Sequence, residues 1–168
     1  MTGSTPPFDE VARDHGAMIA RIAAAHEADR AAREDLVQDI LCALWRALPG
    51  WRGDGALRAF VARVAANRAV THVQRALRRP GREALPEDLA SPGDGPEAQL
   101  IARDEAERLL DAVRRLPLGL KAAALLALEG LSHAEIASAL GVTANAVAVR
   151  MTRARAELRK SIGGRHDR

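Results

Sequence analysis

A segment rich in proline and glycine, residues 80–96, interrupts this chain of 168 residues near its middle. Proline removes a backbone donor and glycine loses the most conformational entropy on folding, so a run that mixes both sustains neither helix nor strand. We therefore predict an acidic linker at residues 80–97. It would join an N-terminal block at residues 8–79 to a C-terminal block at residues 98–162, each long enough for a small core.

The composition favours helices in both blocks. Hydrophobic residues make up 48% of the chain and are mainly Ala, Leu and Val, whereas Tyr is absent and there are only two Phe and two Trp. Such a composition favours helix and disfavours sheets built on aromatic cross-strand pairs. The predicted fold is all-α, with two small helical domains joined by a flexible linker.

Several classes of protein are excluded at this point. The single cysteine excludes a disulfide framework and a cysteine-based zinc site. No apolar run approaches the roughly 20 residues that cross a bilayer, and the N-terminus lacks a signal-peptide pattern. We therefore expect a cytoplasmic protein without membrane insertion.

The charges are segregated along the chain although the net charge is only +3. Residues 57–79 contain six Arg and no acidic residue, residues 80–97 carry −4, and residues 98–168 carry +4. Two basic segments separated by an acidic one point to a polyanion that is contacted at two places. By itself a basic helix face is more often simply solvated.

A helix is predicted where apolar residues recur at helical spacing before Pro49 and Gly50. These apolar positions are Leu36, Val37, Ile40, Leu41, Leu44, Trp45 and Leu48. The face away from them carries Asp35, Asp39, Cys42 and Arg46. This pattern fits either a solvated face or a docking surface for another protein, and the sequence pattern alone does not decide between them.

The strongest local signal is a helix-turn-helix at residues 131–143. Ser132 and Glu135 form the S-x-x-E capping box that begins a helix. Gly141 is placed to end that helix in the left-handed conformation, and Thr143 is a good cap for the next helix. A capped short helix, a glycine turn and a second capped helix predict a helix-turn-helix domain.

The second helix of this motif divides into two faces. The predicted core positions are Val147, Met151, Ala154 and Leu158. The opposite face holds Asn145, Ala148, Val149, Thr152 and Ala156, flanked by Arg150, Arg153, Arg155 and Arg159. Small side chains with arginines at the rim favour a helix in a DNA major groove, with Asn145 pairing to adenine and the arginines holding phosphates. The alternative is a plain solvated amphipathic helix.

A second nucleic-acid candidate is the basic helix predicted from residue 57 to residue 79. Its basic and polar residues are Arg58, Arg63, Asn67, Arg68, His72, Arg75, Arg78 and Arg79. The preceding loop, which contains Gly53 and Asp54, could form a pocket for an unstacked base. Without interleaved aromatic residues, this helix alone is weak evidence.

Taken together, these segments resemble the bacterial extracytoplasmic-function (ECF) sigma factors of the two-domain class. Residues 34–39 and 44–46 are similar to the family's region 2.1–2.2, and residues 51–54, 57–60 and 63–69 to its loop and helix for the minus-ten element. Residues 116–117, 129–137 and 149–155 resemble region 4, which reads the minus-thirty-five element. The chain departs from the family at Phe60 and Ala62, where Trp and Tyr are common.

The resemblance implies three sets of functional residues. For docking on core RNA polymerase they are Asp35, Gln38, Asp39 and Arg46. For the minus-ten element of promoter DNA they are Gly53, Asp54, Arg58, Arg63, Asn67, Arg68 and Arg75. For the upstream element they are Thr143, Asn145, Ala148, Val149, Arg150, Thr152, Arg153 and Arg155. The resemblance also implies strand opening and an anti-sigma partner, and it implies no cofactor, metal or small-molecule substrate.

Two other functional interpretations compete with the resemblance to a sigma factor. A helix-turn-helix repressor or activator that acts without polymerase explains the C-terminal block but not the acidic helix face, the second basic helix or the linker. An enzyme is rejected because the sequence has no glycine-rich phosphate loop or nucleophile elbow and its histidines fit no metal-ligand spacing. These histidines are His15, His26, His72, His133 and His166.

Overall fold

The computed structural model describes residues 5–53, 55–78 and 97–163, and over these ranges it is helical, with no strand. The helices are α1 (Phe8–His26), α2 (Arg30–Ala47), α3 (Leu57–Leu77), α4 (Glu97–Arg114), α5 (Leu118–Leu128), α6 (His133–Leu140) and α7 (Ala144–Gly163), with a 3-10 turn at Leu48–Gly50. The all-helical prediction is confirmed. Residues 80–96 of the predicted linker, together with Asp54 and Arg79, lie outside the described residues, and α4 begins at the residue predicted to end the linker.

Helices α1, α2 and α3 form what we call the N-terminal module, residues 8–78. Its core contains large side chains that are fully buried, such as Ile19, Leu36 and Ile40. Helix α3 instead contributes Val61 and four buried alanines. Small side chains let helix backbones approach closely, so α3 can pack against several neighbours at once.

Helix α2 has clear start and stop signals. The Asp29 side chain accepts a hydrogen bond from the Ala32 amide at 2.8 Å, which caps the helix, and Pro49 stands just beyond its last turn. Leu36, Ile40 and Leu44 line its buried face. Trp45, which periodicity grouped with these apolar residues, is 62% exposed instead.

Helices α4 to α7 form the C-terminal module, residues 97–163. The Glu135 amide donates to Ser132 Oγ at 3.3 Å, and the Ser132 amide donates to Glu135 Oε2 at 2.8 Å, so the predicted capping box is present. Gly141 ends α6 with a φ of 65°, in the left-handed region. The helix-turn-helix prediction is confirmed in its local geometry.

The two modules pack against each other. Helix α3 contacts α5 and α6, and α1 contacts α4. Leu126 and Ile136 belong to the same apolar cluster as Val61 and Ile40, so one core crosses the boundary between the modules. In the part of the chain that the structure describes, no helix combines the length and apolarity that a membrane span requires.

Candidate nucleic-acid interface

Helix α7 separates a buried face from an exposed one, as its sequence predicts. Val147 and Ala154 are fully buried and Met151 is 8% exposed, while Leu158 is partly buried. The outer face carries exposed Asn145, Val149, Thr152, Arg153 and Arg155, with Ala148 half-buried among them. This face therefore offers an amide, methyl groups and guanidinium groups together, which suits the edges and phosphates of a major groove.

Three of the residues predicted to contact DNA on this helix already have partners within the chain. Thr143 Oγ1 accepts a hydrogen bond from the Ala146 amide at 3.2 Å and so caps α7. The Thr152 hydroxyl donates to the Ala148 carbonyl at 3.1 Å. The Arg150 side chain lies over Gly119 in the first turn of α5. These contacts leave the exposed Asn145, Arg153 and Arg155 as the side chains best placed to reach a ligand.

The basic residues of α3 are more engaged than those of α7. Arg58 Nη2 lies 3.3 Å from Glu129 Oε2, and Arg68 Nη2 lies 2.9 Å from Asp39 Oδ2. The Arg63 guanidinium lies over the Phe60 ring, 5.3 Å from its centroid, in a cation–π contact. Asn67 and Arg75 are exposed. The structure thus places the five predicted minus-ten residues from Arg58 to Arg75 on one helix, with Gly53 in the loop before it, and pairs several of them internally.

A cleft of about 300 Å³ lies beside the loop that precedes α3. Gly53 and Gly55 adopt φ values of 80° and 83°, which favour glycine because a Cβ would be strained there. One wall of the cleft is formed by Gly50, Trp51, Arg52, Gly55, Ala56, Ala59, Phe60 and Arg63, and the other by Glu135, Ser138 and Ala139 of α6. Trp51 Nε1 is buried and has no hydrogen-bond partner among the described residues.

The outer face of α2 is exposed at Asp35, Gln38, Cys42 and Arg46. Asp39 differs because it is half-buried and pairs with Arg68 across the α2–α3 boundary. Trp45, which sequence reasoning did not include in this surface, lies exposed on α2 next to Arg46 in sequence. The one signal in the sequence was that the apolar stripe of α2 contains more large apolar residues than one buried helix face requires, and Trp45 is the extra one.

A buried carboxylate that the sequence did not single out joins the two modules. Glu129 is 5% exposed, and its two oxygens accept hydrogen bonds from Arg21 Nε and Arg21 Nη2, both at 2.8 Å. The hydrogen bond to Glu129 raises the pKa of Arg21. Its partners are 108 and 71 residues away in sequence, so no local pattern could have revealed the cluster.

Two basic groups near this boundary, buried Lys121 and half-buried His26, have no carboxylate partner among the described residues. Desolvation lowers the pKa of His26 to about 4, although its Nδ1 donates to the Ile22 carbonyl at 2.8 Å. Desolvation, followed by the charge of Arg114, lowers the pKa of Lys121, which is 8% exposed. Among the side chains that the structure describes, no group of three or more His, Cys, Asp and Glu residues could hold a metal ion.

Comparison with known families places both modules in one class. The family model described as Sigma-70 region 2 matches residues 11–79, and the model described as Sigma-70, region 4 matches residues 106–158. The regions stand in the chain in the order expected for a sigma factor. The helix-turn-helix is therefore accompanied by a second module that a simple repressor or activator does not explain.

Relatives that match over most of the chain narrow the class of protein to RNA polymerase sigma factors. The chain is 31% identical to the RNA polymerase sigma factor NccH of Alcaligenes xylosoxydans xylosoxydans, a match that covers 93% of this chain and 87% of the relative. It is 32% identical to the ECF RNA polymerase sigma factor SigE of Mycolicibacterium smegmatis, with 92% of this chain and 61% of the relative covered.

Solved structures agree with these matches. CnrH in complex with the cytosolic domain of CnrY aligns with a TM-score of 0.68 and 26% identity, covering 97% of this chain and 92% of that one. RpoE in complex with the anti-sigma factor NepR from Bartonella quintana also aligns with a TM-score of 0.68, at 19% identity, covering 95% of this chain and 99% of that one, which supports the fold.

The chain belongs to the RNA polymerase sigma factors of the ECF group, two-domain class. Its function is that of a sigma factor in transcription initiation, which acts with core RNA polymerase on promoter DNA. Proteins of this family are transcription regulators rather than enzymes in the usual sense.

Proposed function

We propose that this sigma factor divides its work among three surfaces. The outer face of α7 binds the minus-thirty-five element, α3 and its preceding loop bind the minus-ten element, and the outer face of α2 docks on core polymerase. The observation that carries the proposal is that each of these helices buries one face in the core and exposes the face that carries the predicted residues. The core polymerase then performs the chemistry.

The upstream contact rests on Asn145, Arg153 and Arg155. An asparagine amide can pair with both the N6 donor and the N7 acceptor of adenine, and arginine can pair with guanine or hold a phosphate. The exposed methyl group of Thr152 and the side chain of Val149 offer apolar contact to thymine methyl groups. Because the Thr152 hydroxyl is satisfied by Ala148, it is the methyl group that we assign to this contact.

The minus-ten contact rests on the wall of the cleft that α3 and its preceding loop form. Opening a promoter costs unpairing and unstacking free energy, which a protein can offset by holding an extruded base and the single strand. Trp51 and Phe60 supply aromatic walls, and the unpaired Trp51 Nε1 supplies a buried donor. Arg63, stacked on Phe60, is placed to hold the adjacent phosphate.

The polymerase contact rests on the exposed face of α2. Trp and Arg dominate the binding free energy of many protein interfaces, and here Trp45 and Arg46 are consecutive in sequence and both exposed. Asp35 and Gln38 add polar contacts that fix the register. Asp39 contributes indirectly, because it holds Arg68 of the minus-ten helix.

A protein inhibitor is part of the proposal. The solved relatives CnrH and RpoE are complexes with CnrY and with the anti-sigma factor NepR, respectively. By this likeness we propose that an anti-sigma partner binds this chain and controls its access to polymerase. The site of action is the cytoplasm, where core polymerase and promoter DNA are found, and no membrane insertion or small-molecule substrate is involved.

Run-off transcription tests the proposal directly. Purified chain is mixed with core polymerase and genomic fragments, including the region upstream of its own gene. Specific transcripts that depend on the chain are expected. Trp45→Ala should weaken holoenzyme formation at least tenfold, whereas Leu77→Ala, which removes another exposed apolar side chain, should not. Failure of the chain to bind core polymerase, or to direct where transcripts begin, would overturn the proposal.

A further inference from the structure

Glu129 ties three elements of the two modules together. It follows α5 in the C-terminal module, and it accepts hydrogen bonds from Arg21 on α1 and Arg58 on α3. The Arg21 contact is bidentate, with both N–O distances at 2.8 Å. Charge-assisted bidentate pairs are among the stronger hydrogen bonds in proteins, and here the carboxylate is only 5% exposed. We call this group of three side chains the Glu129 clasp.

Other contacts hold the modules in the same arrangement. Helix α3 packs against α5 and α6, and Arg114 Nε on α4 donates to the Ala24 carbonyl of α1 at 2.8 Å. Helix α6 also forms one wall of the cleft beside the loop before α3. The C-terminal module therefore lies directly beside the surface proposed to receive the minus-ten element.

This closed arrangement cannot engage a whole promoter. Elements at minus ten and minus thirty-five are roughly 25 base pairs apart, or about 85 Å at 3.4 Å per base pair. In the structure α3 packs on α6, which packs on α7. Two layers of packed helices, each about 10 Å apart, separate the two DNA-binding helices by only about 20 Å. The modules must therefore move apart before both elements can be bound.

We propose that the Glu129 clasp keeps the free chain closed, and that opening exchanges the Glu129 carboxylate for a promoter phosphate at Arg58. The inference rests on the proposed minus-ten role of α3. Glu129 occupies one Nη2 donor of Arg58 and neutralises part of its charge, so the carboxylate competes with a phosphate for this guanidinium. The clasp is an autoinhibitory contact that core polymerase and DNA release.

The boundary between the modules also contains buried polar groups whose desolvation favours opening. Lys121 is buried there beside His26, and the Nε2 atom of His26 has no partner among the described residues. Burying polar groups without partners carries a free-energy cost that is recovered when water returns. The clasp thus offsets part of this cost, together with the apolar packing and the Arg114 contact at the boundary.

Distance measurements between spin labels on the free, full-length chain test the proposal. Cys42 is exposed and is the only cysteine in the sequence, so a second label at Ser161→Cys gives one defined pair across the modules. The parent should give one narrow distance distribution. Glu129→Gln keeps the side-chain shape but removes the charge, and it should lower the ratio of closed to open molecules about tenfold.

Two further variants, one in the clasp and one outside it, test whether the clasp controls the distance distribution. Arg21→Gln, at a largely exposed side chain, should also increase the open fraction without disturbing the core. Glu157→Gln removes an exposed carboxylate that pairs with Lys160 on α7, and it should leave the distribution unchanged. If Glu129→Gln and Arg21→Gln both give the parent's distribution, the clasp does not hold the chain closed and the proposal is wrong.

Binding of free chain to forked minus-ten DNA tests the exchange at Arg58. Glu129→Gln should bind this DNA about tenfold more tightly than the parent, and it should give no such gain in an Arg58→Ala background. An equal gain in both backgrounds would overturn the exchange. Failure of polymerase to use the parent chain in run-off transcription would instead count against the proposed function, since the label distances do not depend on polymerase.

Discussion

The two helices that we propose to bind DNA hold their arginines in different states. On α7, Arg153 and Arg155 are exposed on the outer face, and the buried face alone contacts the core. On α3, Arg58 pairs with Glu129 and Arg68 pairs with Asp39. Under the proposed function, α7 therefore presents a surface that is ready to bind DNA, whereas α3 must first exchange internal partners.

This difference follows from where each helix lies. Among the described residues, α7 packs on its own module through one face, while α3 lies between α1 and α2 on one side and α5 and α6 on the other. A central helix has more neighbours with which to pair. If α3 opens the promoter as we propose, its central placement allows the fold itself to regulate its DNA surface.

The largest expected effect is a dependence of folding stability on pH, caused by His26 at the boundary between the modules. The pKa of His26 is lowered to about 4 from 6.5, mainly by desolvation and further by the charges of Lys121 and His72. His72 in turn faces Glu27, and Arg114 faces Lys121. The unfolded chain binds the His26 proton more tightly, so folding stability should be complete above about pH 6.5. It should fall by roughly 1 kcal/mol per pH unit as the pH drops towards 4.

Urea denaturation between pH 7.5 and pH 4.5 measures this dependence. His26→Gln should flatten the profile, because the titrating group is gone. His133→Gln, which removes an exposed histidine at the start of α6, serves as the matched control and should keep the parent's profile. A His26→Gln profile as steep as the parent's would show that other groups cause the loss of stability.

The next largest effect should come from the exposed face of α7. Arg153→Ala should weaken binding to the upstream element by about 1–3 kcal/mol if the side chain contacts a base. Arg108→Ala removes the same charge from the exposed surface of α4 and should leave affinity nearly unchanged. Gel-shift titrations of the holoenzyme at fixed salt measure both variants, and equal affinities would remove Arg153 from the interface.

Two glycine substitutions, one in each module, should change the free energy of unfolding in opposite directions. Gly141 ends α6 with a φ of 65°, so Gly141→Ala should destabilise the chain by about 1–2 kcal/mol. Gly16 lies within α1 with nothing within 4 Å of an added Cβ, so Gly16→Ala should stabilise it by about 0.5–1 kcal/mol. Thermal unfolding should shift in opposite directions, and shifts of the same sign would contradict the assigned conformations.

The smallest effect should come from the pair between α2 and α3. Asp39 and Arg68 are both partly exposed, so a double-mutant cycle with Asp39→Asn and Arg68→Gln should give a coupling free energy of about 0.2–1 kcal/mol. The same cycle applied to Arg30 and Glu34, an exposed pair within α2, gives a reference value. Coupling well above this range would mean that Asp39 holds Arg68 more firmly than its exposure suggests.

The helix-turn-helix could be predicted from sequence because its signals are local. The capping box spans residues 132–135, and the turn depends on the φ of one glycine. The buried face of α7 follows from helical spacing alone, and Val147, Met151 and Ala154 are buried as predicted. Such features require no knowledge of what the rest of the chain does.

The boundary between the modules could not be predicted, because it depends on contacts between residues far apart in sequence. Nothing in the sequence near Glu129 indicates that it pairs with Arg21 and Arg58. Trp45 shared the spacing of the buried residues but lies outside, because Leu36, Ile40 and Leu44 already fill the inner face of α2. The assignment of individual residues to DNA and to polymerase stays a prediction.

Permanganate reactivity of promoter thymines, measured beside the upstream footprint in one holoenzyme complex, tests the division of labour most directly. The parent chain should protect the minus-thirty-five element and make thymines near minus ten reactive. A Phe60→Ala, Arg63→Ala double variant should keep the upstream protection and lose most of the reactivity. Full reactivity in this variant, or joint loss of both signals, would contradict the account that α7 and α3 read separate elements.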